Sequence, residues 1–298
     1  MASDVALVTQ NLGKSYPGTD VWALKDLNLS VKAGEVYGFL GPNGAGKSTT
    51  IRTLLNFIQP SSGTGTILGL DIVADSVKLK RYIGYQAGEV ALYKHLTGQQ
   101  FLDYMAKLQP IKHANYFKEL VFTFQAELDK PIATLSKGNR QKLGVIQAFM
   151  HEPEVLILDE PTAGLDPLMQ TVFFRLVEES RARGAAIFLS SHDLAEVQKM
   201  CDRIGFIRGG RLIAEQTIAD LHKVAAHNFD ITFGGDPPIA EIKKIRGAKV
   251  TVLNRHSLSV KLQGELTPLL KVLARHSVVS LYQHELNLEE EFLKFYRT

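Results

Sequence analysis

A glycine-rich loop decides the fold of this chain, and it reads Gly41-Pro42-Asn43-Gly44-Ala45-Gly46-Lys47-Ser48-Thr49. An apolar run, residues 36–40, precedes it, and a helical pattern follows it, so we expect a buried strand, a turn and a helix. The glycines let successive backbone N–H groups turn toward a β-phosphate, and the helix N-terminus adds positive partial charge. We expect Lys47 to reach the β and γ oxygens and Ser48 to offer its hydroxyl to Mg²⁺. The loop therefore predicts a site for a nucleoside triphosphate.

Composition restricts the class of protein. With 298 residues, of which 45% are hydrophobic, the chain can form two unequal domains with real cores. A formal net charge of +3 is only a small surplus of Lys and Arg, and it does not favour a nucleic-acid partner. The single cysteine, Cys201, excludes an internal disulfide and fits a reducing cytosol. No window of 18 uninterrupted apolar residues or export leader is found, so we expect neither a membrane span nor secretion.

A second apolar run, residues 155–158, ends in the carboxylates of Asp159 and Glu160. A continuous aliphatic run of this kind is typical of a strand buried in a parallel sheet. We expect Asp159 to hold Mg²⁺, directly or through water, and Glu160 to polarise the attacking water. A strand that merely stops at acidic turn residues is the alternative, and the phosphate loop in the same chain disfavours it.

The two motifs are 112 positions apart, counted from Lys47 to Asp159, which predicts an inserted helical subdomain at about residues 88–152. Apolar residues at three- and four-residue spacing predict helices over about 97–108, 114–128 and 136–150. Taken alone, Ser136 at the start of the third helix is interpreted as an ordinary N-cap.

Together these motifs resemble those of one family, the ATP-binding cassette (ABC) transporter ATPases, over roughly residues 5 to 220. The resemblance implies an α/β fold of the P-loop NTPase type, with an ABC nucleotide-binding domain, an inserted helical subdomain, and ATP and Mg²⁺ as its ligands. Residues 135–139 resemble the signature motif, which faces the γ-phosphate of an ATP held by a partner subunit. Outside the phosphate loop, the resemblance implies that Tyr16 stacks on adenine, that Glu160 is the catalytic glutamate and that His192 is the switch histidine. It also implies site roles for the signature residues Ser136, Lys137, Gly138 and Asn139 and for Asp166 of the D-loop.

Two of these assignments have simpler alternatives. Tyr16 could be half-buried packing, although an adenine ring needs a flat apolar partner and a tyrosine supplies one. His192 could cap the helix that follows it. Its position after residues 185–189, a plausible further strand of the sheet, favours an orientation toward the γ-phosphate.

The chain departs from the family pattern in two places. Gly88 stands where the Mg²⁺-sensing glutamine usually stands, with Gln86 two positions earlier and Glu89 one position later. Either could reach the metal or its water, and because a carboxylate is the better Mg²⁺ ligand we favour Glu89. Lys137 and Asn139 replace the more common glycine and glutamine of the signature motif. This combination of residues, together with the change at Gly88, resembles the sequences of drug and antibiotic exporters with separately encoded membrane subunits.

In residues 221–298 the pattern of short strands and helices predicts a small α+β domain, for which a ferredoxin-like arrangement is one candidate. Alternating patterns predict strands over residues 228–233, 248–253 and 258–262, and Thr267-Pro268 predicts a helix that continues to Arg275. Asn287 and Glu290 form a capping-box pattern before a final amphipathic helix. Because this part has no phosphate loop or carboxylate pair, we expect it to support dimer formation or regulation.

The sequence thus predicts an ATPase domain over residues 1–220 that is the ATP-binding and ATP-hydrolysing subunit of an ABC transporter, with export as the favoured direction. The resemblance implies a second ATP-binding subunit, a separate transmembrane permease and a position at the cytoplasmic face of the membrane. A soluble cassette ATPase that acts on ribosomes or DNA is disfavoured, because the chain has one phosphate loop and no sustained heptad pattern. A non-hydrolysing structural P-loop protein conflicts with an intact Glu160.

Overall fold

The computed structural model describes residues 5–18, 21–88, 92–224 and 227–284. The chain divides into two compact units, Met1–Glu215 and Gln216–Thr298. Each unit contains its own cluster of buried apolar side chains. None of the helices in the described part of the chain has the length and apolarity needed to span a membrane.

The first unit combines strands and helices in the following order. Its strands are β1 (Val5–Ser15), β2 (Trp22–Lys32), β3 (Val36–Leu40), β4 (Ser62–Ile67), β5 (Leu70–Asp71), β6 (Ile83–Gln86), β7 (Val155–Asp159), β8 (Ala186–Ser191), β9 (Arg203–Arg208) and β10 (Arg211–Thr217), which crosses the unit boundary. Its helices are α1 (Lys47–Leu54), α2 (Ser76–Leu79), α3 (Gly98–Leu108), α4 (Ala114–Phe124), α5 (Lys137–Phe149), α6 (Pro167–Ala182) and α7 (Leu194–Met200).

The strands form two sheets, with the orders β2-β1-β4-β5 and β10-β9-β3-β8-β7-β6. In the second sheet β3 lies parallel to β8 and β9, and β7 lies parallel to β6 and β8. Strands β3, β7 and β8 are buried along their whole length, as expected for apolar strands covered on both faces. Because Leu40 pairs with Ser191 and Asp159 pairs with Ser190, the three strands end at the same edge. The phosphate loop and the carboxylates therefore meet there.

Three helices, α3 to α5, are inserted between β6 and β7. A capping box begins α3, in which Thr97 and Gln100 exchange side-chain and backbone hydrogen bonds. The helix predicted to reach residue 128 ends at Phe124, because Gln125 adopts the left-handed conformation with φ 48°. The chain then turns back, and the carbonyl of Leu128 accepts a hydrogen bond from the backbone of Gln99 at 2.9 Å.

The second unit is a four-stranded antiparallel sheet with short helices. Its elements are α8 (Ile218–Val224), β11 (His227–Phe233), α9 (Ile239–Lys243), β12 (Ala248–Asn254), β13 (Ser257–Leu262), α10 (Thr267–Leu273) and β14 (Val278–Gln283). From β11 onward the sequence is β-α-β-β-α-β and the sheet order is β12-β13-β11-β14, which is the ferredoxin-like arrangement. The helix predicted to reach Arg275 ends at Leu273. The predicted capping box at Asn287 and Glu290 lies outside the described residues.

Candidate functional site

The loop after β3 adopts a conformation that favours glycine. Gly46 has φ +114°, and a Cβ atom at this position would lie 2.8 Å from the carbonyl oxygen of Ala23. Gly46 is also the residue before α1, and among the described residues no side chain caps that helix. The first backbone N–H groups of α1 are therefore available to an anion, which is the property required of a phosphate cradle.

Lys47, the first residue of α1, is almost fully buried, with 6% of its side chain exposed. Its Nζ donates hydrogen bonds to the carbonyl oxygens of Gly41 at 2.6 Å and Pro42 at 3.3 Å. The same Nζ lies 3.3 Å from Oε1 of Glu160. A buried ammonium requires such partners, and together they hold its charge directly beside the loop.

The carboxylates at the end of β7 have different environments. Asp159 is the last residue of the strand, and its Oδ1 accepts a hydrogen bond from Oγ of Ser190 at 2.6 Å. Glu160 lies between two basic side chains, because its Oε2 is also 2.7 Å from Nδ1 of His192. Nearby, burial and the charge of Asp159 raise the pKa of Tyr85 above its ordinary value.

Half of the predicted site residues line one cavity of about 480 Å³. The predicted residues that line it are Pro42, Asn43, Gly44, Gly46, Lys47, Ser48, Thr49, Asp159, Glu160 and His192. The cavity is also lined by four residues for which the sequence predicts no site role, Ala23, Arg52, Gly88 and Ala163. Arg52 could have been recognised, since it follows Ser48 by four residues on α1 and so shares its face. Gly41 and Ala45 belong to the same loop without lining the cavity.

The donors in this cavity fit a magnesium nucleotide. The Ser48 hydroxyl and the Asp159 carboxylate are oxygen ligands of the kind that Mg²⁺ prefers, and both face the same space. The loop supplies backbone N–H groups and a buried ammonium for phosphate oxygens. A Cβ at Gly88 would lie 3.1 Å from the carbonyl oxygen of Asp159, so Gly88 packs closely against the end of β7.

Other predicted residues lie elsewhere. In the described part of the chain Tyr16 does not line the cavity, and Nζ of Lys14 lies 5.5 Å from the centre of its ring. Gln86 is buried outside the cavity lining, where its Nε2 donates to the carbonyl oxygen of Pro161 at 3.1 Å. Glu89, the favoured metal-sensing residue, lies outside the described residues.

The signature residues begin α5. The backbone N–H of Asn139 donates to Oγ of Ser136 at 3.2 Å, so Ser136 is the N-cap. The Asn139 side chain donates to Oε1 of Glu127 at 2.8 Å, and the hydrogen bond from Lys130 lowers the pKa of that glutamate. Lys137 and Gly138 both lie next to the D-loop, residues 163–166. A Cβ at Gly164 would be 3.5 Å from Cε of Lys137, and a Cβ at Gly138 would be 3.1 Å from the Gly164 carbonyl oxygen. Asp166 caps α6 through the backbone N–H of Met169, at 2.9 Å.

The fold and the cavity define a P-loop ATPase with a helical insertion, and comparison with known proteins identifies the family. The family model described as ABC transporter matches residues 24–163. The chain is 38% identical over 218 residues to the bacitracin transport ATP-binding protein BcrA of Bacillus licheniformis, covering 72% of this chain and 71% of that protein. It is 34% identical over 312 residues to the linearmycin resistance ATP-binding protein LnrL of Bacillus subtilis, covering 96% and 97%. The chain belongs to the ABC transporter ATP-binding proteins.

A solved structure described as an ATP binding subunit of an ABC transporter supports the same assignment, with a TM-score of 0.68 and 32% identity. The comparison covers 73% of this chain and 92% of that one. The predicted family, the ABC ATPase fold and the ATP-hydrolysing activity are therefore confirmed. The roles of individual site residues remain predictions.

Proposed function

We propose that this chain hydrolyses MgATP to power export through a separate membrane subunit. The observation that carries the proposal is that Glu160 contacts both Lys47 and His192 beside the phosphate loop. Ser48 and Asp159 line the same cavity. Ser48 and Asp159 would hold Mg²⁺, whose chemistry is to neutralise charge on the phosphate oxygens.

Glu160 would orient the attacking water and accept its proton. Lys47 and His192 both contact Glu160, and each carries the donors that a γ-phosphate requires. When a phosphate occupies the cavity, we expect these two residues to shift from the carboxylate to the phosphate oxygens. That exchange would release Glu160 to act on water. Tyr16 would stack on adenine from the loop after β1.

We further propose that two copies of the chain, or this chain and a second ATP-binding subunit, complete each site together. In the described part of the chain, residues 136–139 lie outside the cavity that holds the chain's own phosphate loop. They can act on a phosphate only if a partner presents it, as the family arrangement implies. In a two-fold dimer, two composite sites would then close at once, with Asp166 near the contact.

The membrane subunit would dock on the helical insertion. An aromatic cluster is exposed there, in which the rings of Tyr93 and Tyr104 pack edge to face at 5.7 Å, and Leu108 follows on the same helix. Leu108 also lines a cleft of about 320 Å³, to which Arg81, Lys107 and Lys112 contribute basic side chains. An apolar surface beside a basic cleft fits an amphipathic segment that carries acidic residues. This would place the chain at the cytoplasmic face of a membrane.

Export is proposed because of the relatives described above. One is named for bacitracin transport and the other for linearmycin resistance. We infer that the cargo is an antibiotic, a lipid or another drug-like compound. For the second unit, which has its own sheet and core, we propose a role in dimer support or regulation. Removal of residues 222–298 should then change assembly or the rate of ATP hydrolysis.

Co-purification tests the membrane partnership. The chain would be co-expressed with the candidate membrane subunit, and its recovery in the membrane fraction would be measured for wild type and for Leu108→Asp. We expect the variant to lose most of its recovery while it still binds ATP, because a carboxylate would enter the docking surface. Phe122→Asp is the matched control, since Phe122 is an exposed apolar residue on α4. Recovery with ribosomes or DNA, or equal loss in both variants, would contradict the proposal.

A further inference from the structure

The backbone around Glu160 has an unusual conformation. Glu160 has φ +48°, a left-handed value that residues other than glycine rarely adopt. Its N–H donates to the carbonyl oxygen of Ser190 at 3.1 Å and lies 3.3 Å from the Ser190 hydroxyl. The conformation of Glu160 is therefore maintained by its surroundings, because local backbone preference does not favour it.

The next residue, Pro161, is held by two buried amide side chains. Its carbonyl oxygen accepts one hydrogen bond from Nε2 of Gln86 and one from Nε2 of Gln141, each at 3.1 Å. Both glutamines are almost inaccessible, at 1% and 2% exposure. Proline has no N–H, so this carbonyl is its only backbone hydrogen-bonding group, and both lone pairs are used. The peptide after Glu160 is thus fixed from outside its own strand.

The two glutamines belong to different elements. Gln86 is the last residue of β6, where the chain leaves the sheet for the helical insertion. Gln141 lies on α5, five residues after the N-cap Ser136. A rotation or shift of α5 would therefore displace the donor on the Pro161 carbonyl and, with it, the backbone of Glu160.

We propose that Gln141 is a positioning residue for ATP hydrolysis, which sets the carboxylate of Glu160 through the Pro161 carbonyl. The proposal rests on the role given to Glu160 above. Because α5 begins with the signature residues, Gln141 also connects them with the water-activating group of the same chain. In a dimer where Ser136 faces the partner's nucleotide, the occupancy of one site would reach Glu160 of the other site by this route.

The test replaces the amide without changing the shape of the side chain. Gln141→Met keeps an unbranched side chain and a similar helix propensity, and it removes one of the two donors to Pro161. We expect kcat of the MgATPase to fall about tenfold, the rate equivalent of one lost hydrogen bond. KM and Kd for ATP should change less than about twofold, because Gln141 does not line the cavity. Gln147→Met, on the same helix, is the matched control and should leave kcat unchanged.

A double substitution separates positioning from packing. In single-turnover assays, Gln141→Met should have no further effect on a chain that already carries Glu160→Gln, because the effect passes through that carboxylate. Gln141→Leu serves as a second variant if the Met variant does not fold. A wild-type kcat in a folded variant, a matching rise in KM, or an equal loss in the Glu160→Gln background would overturn the proposal.

Failure of the link from Gln141 to Glu160 can be distinguished from failure of the proposed function. If Glu160→Gln is inactive and Gln141→Met turns over like wild type, only the link is wrong. If Glu160→Gln turns over at the wild-type rate, the role of Glu160 is wrong, and the positioning role falls with it.

Discussion

Replacing His151 should make the first unit less sensitive to acid. His151 follows α5, is only 3% exposed, and lines the basic cleft with Arg81 and Lys112. Burial and, to a smaller extent, the charge of Lys112 lower the pKa of this imidazole to about 4, although a hydrogen bond with the backbone of Ile83 acts in the opposite direction. The folded chain therefore keeps His151 neutral at pH values where the unfolded chain would protonate it.

The sign and size of the effect follow from linkage. An unfolded histidine has a pKa of about 6.5, so between that pH and pH 4 the unfolded state binds more protons. The contribution of neutral His151 to the free energy of unfolding is thus fully present above pH 6.5 and is lost as the pH drops toward 4. For these two pKa values the loss from pH 8 to pH 5 is about 2 kcal/mol, and it approaches about 3 kcal/mol below pH 4.

The assay uses urea unfolding at pH 8 and pH 5 for wild type and His151→Leu. The only tryptophan of the chain, Trp22, lies on β2, so its fluorescence follows the first unit alone. We expect the free energy of unfolding to fall by about 2 kcal/mol more in wild type than in the variant. The matched control is His95→Gln, which removes an exposed histidine from the same unit. An equal acid sensitivity in wild type and His151→Leu would refute the reasoning.

Three other substitutions test separate features. Gly46→Ala should raise the Kd of a fluorescent ATP analogue at least about 100-fold, because the Cβ of the new alanine would meet the Ala23 carbonyl. As a control, Gly184→Ala should bind the analogue normally, because Gly184 is also at positive φ but has open space around it. Ser190→Ala should raise the Mg²⁺ concentration for half-maximal ATPase activity about tenfold, since it removes the hydrogen bond to Asp159, and an unchanged Mg²⁺ titration would contradict this. Arg203→Ala should lower the free energy of unfolding by about 2 kcal/mol, because Glu35 would lose its 2.8 Å partner, and urea titration would detect it.

Sequence patterns predicted the elements whose formation is governed locally. The loop at residues 41–49 and the strand β7 follow from glycine geometry and from a continuous apolar run, and neither depends on distant contacts. The N-cap predicted at Ser136 is confirmed for the same reason. The end of α4 could not, because the left-handed turn at Gln125 interrupts a pattern that still reads as helical.

Features of the site that depend on long-range contacts were not accessible from the sequence. The sequence offers Gln86 as an alternative to Glu89 for the metal-sensing role, but the Gln86 side chain is directed to Pro161, which lies 75 positions away along the chain. No local pattern marks Gln141 or Ser190 as a site residue, since each contacts β7 or its end from another element. Spacing in one sequence carries no signal for such pairs, because tertiary packing sets their partners.

The activity itself should be tested on the chain co-expressed with its membrane subunit, by comparing MgATP hydrolysis of wild type and Glu160→Gln. We expect wild type to hydrolyse ATP and the variant to lose nearly all turnover while it retains bound ATP in a closed dimer, because the amide cannot accept a proton from water. Hydrolysis by Glu160→Gln at the wild-type rate would contradict the mechanism, and the absence of hydrolysis in both proteins would contradict the transporter role.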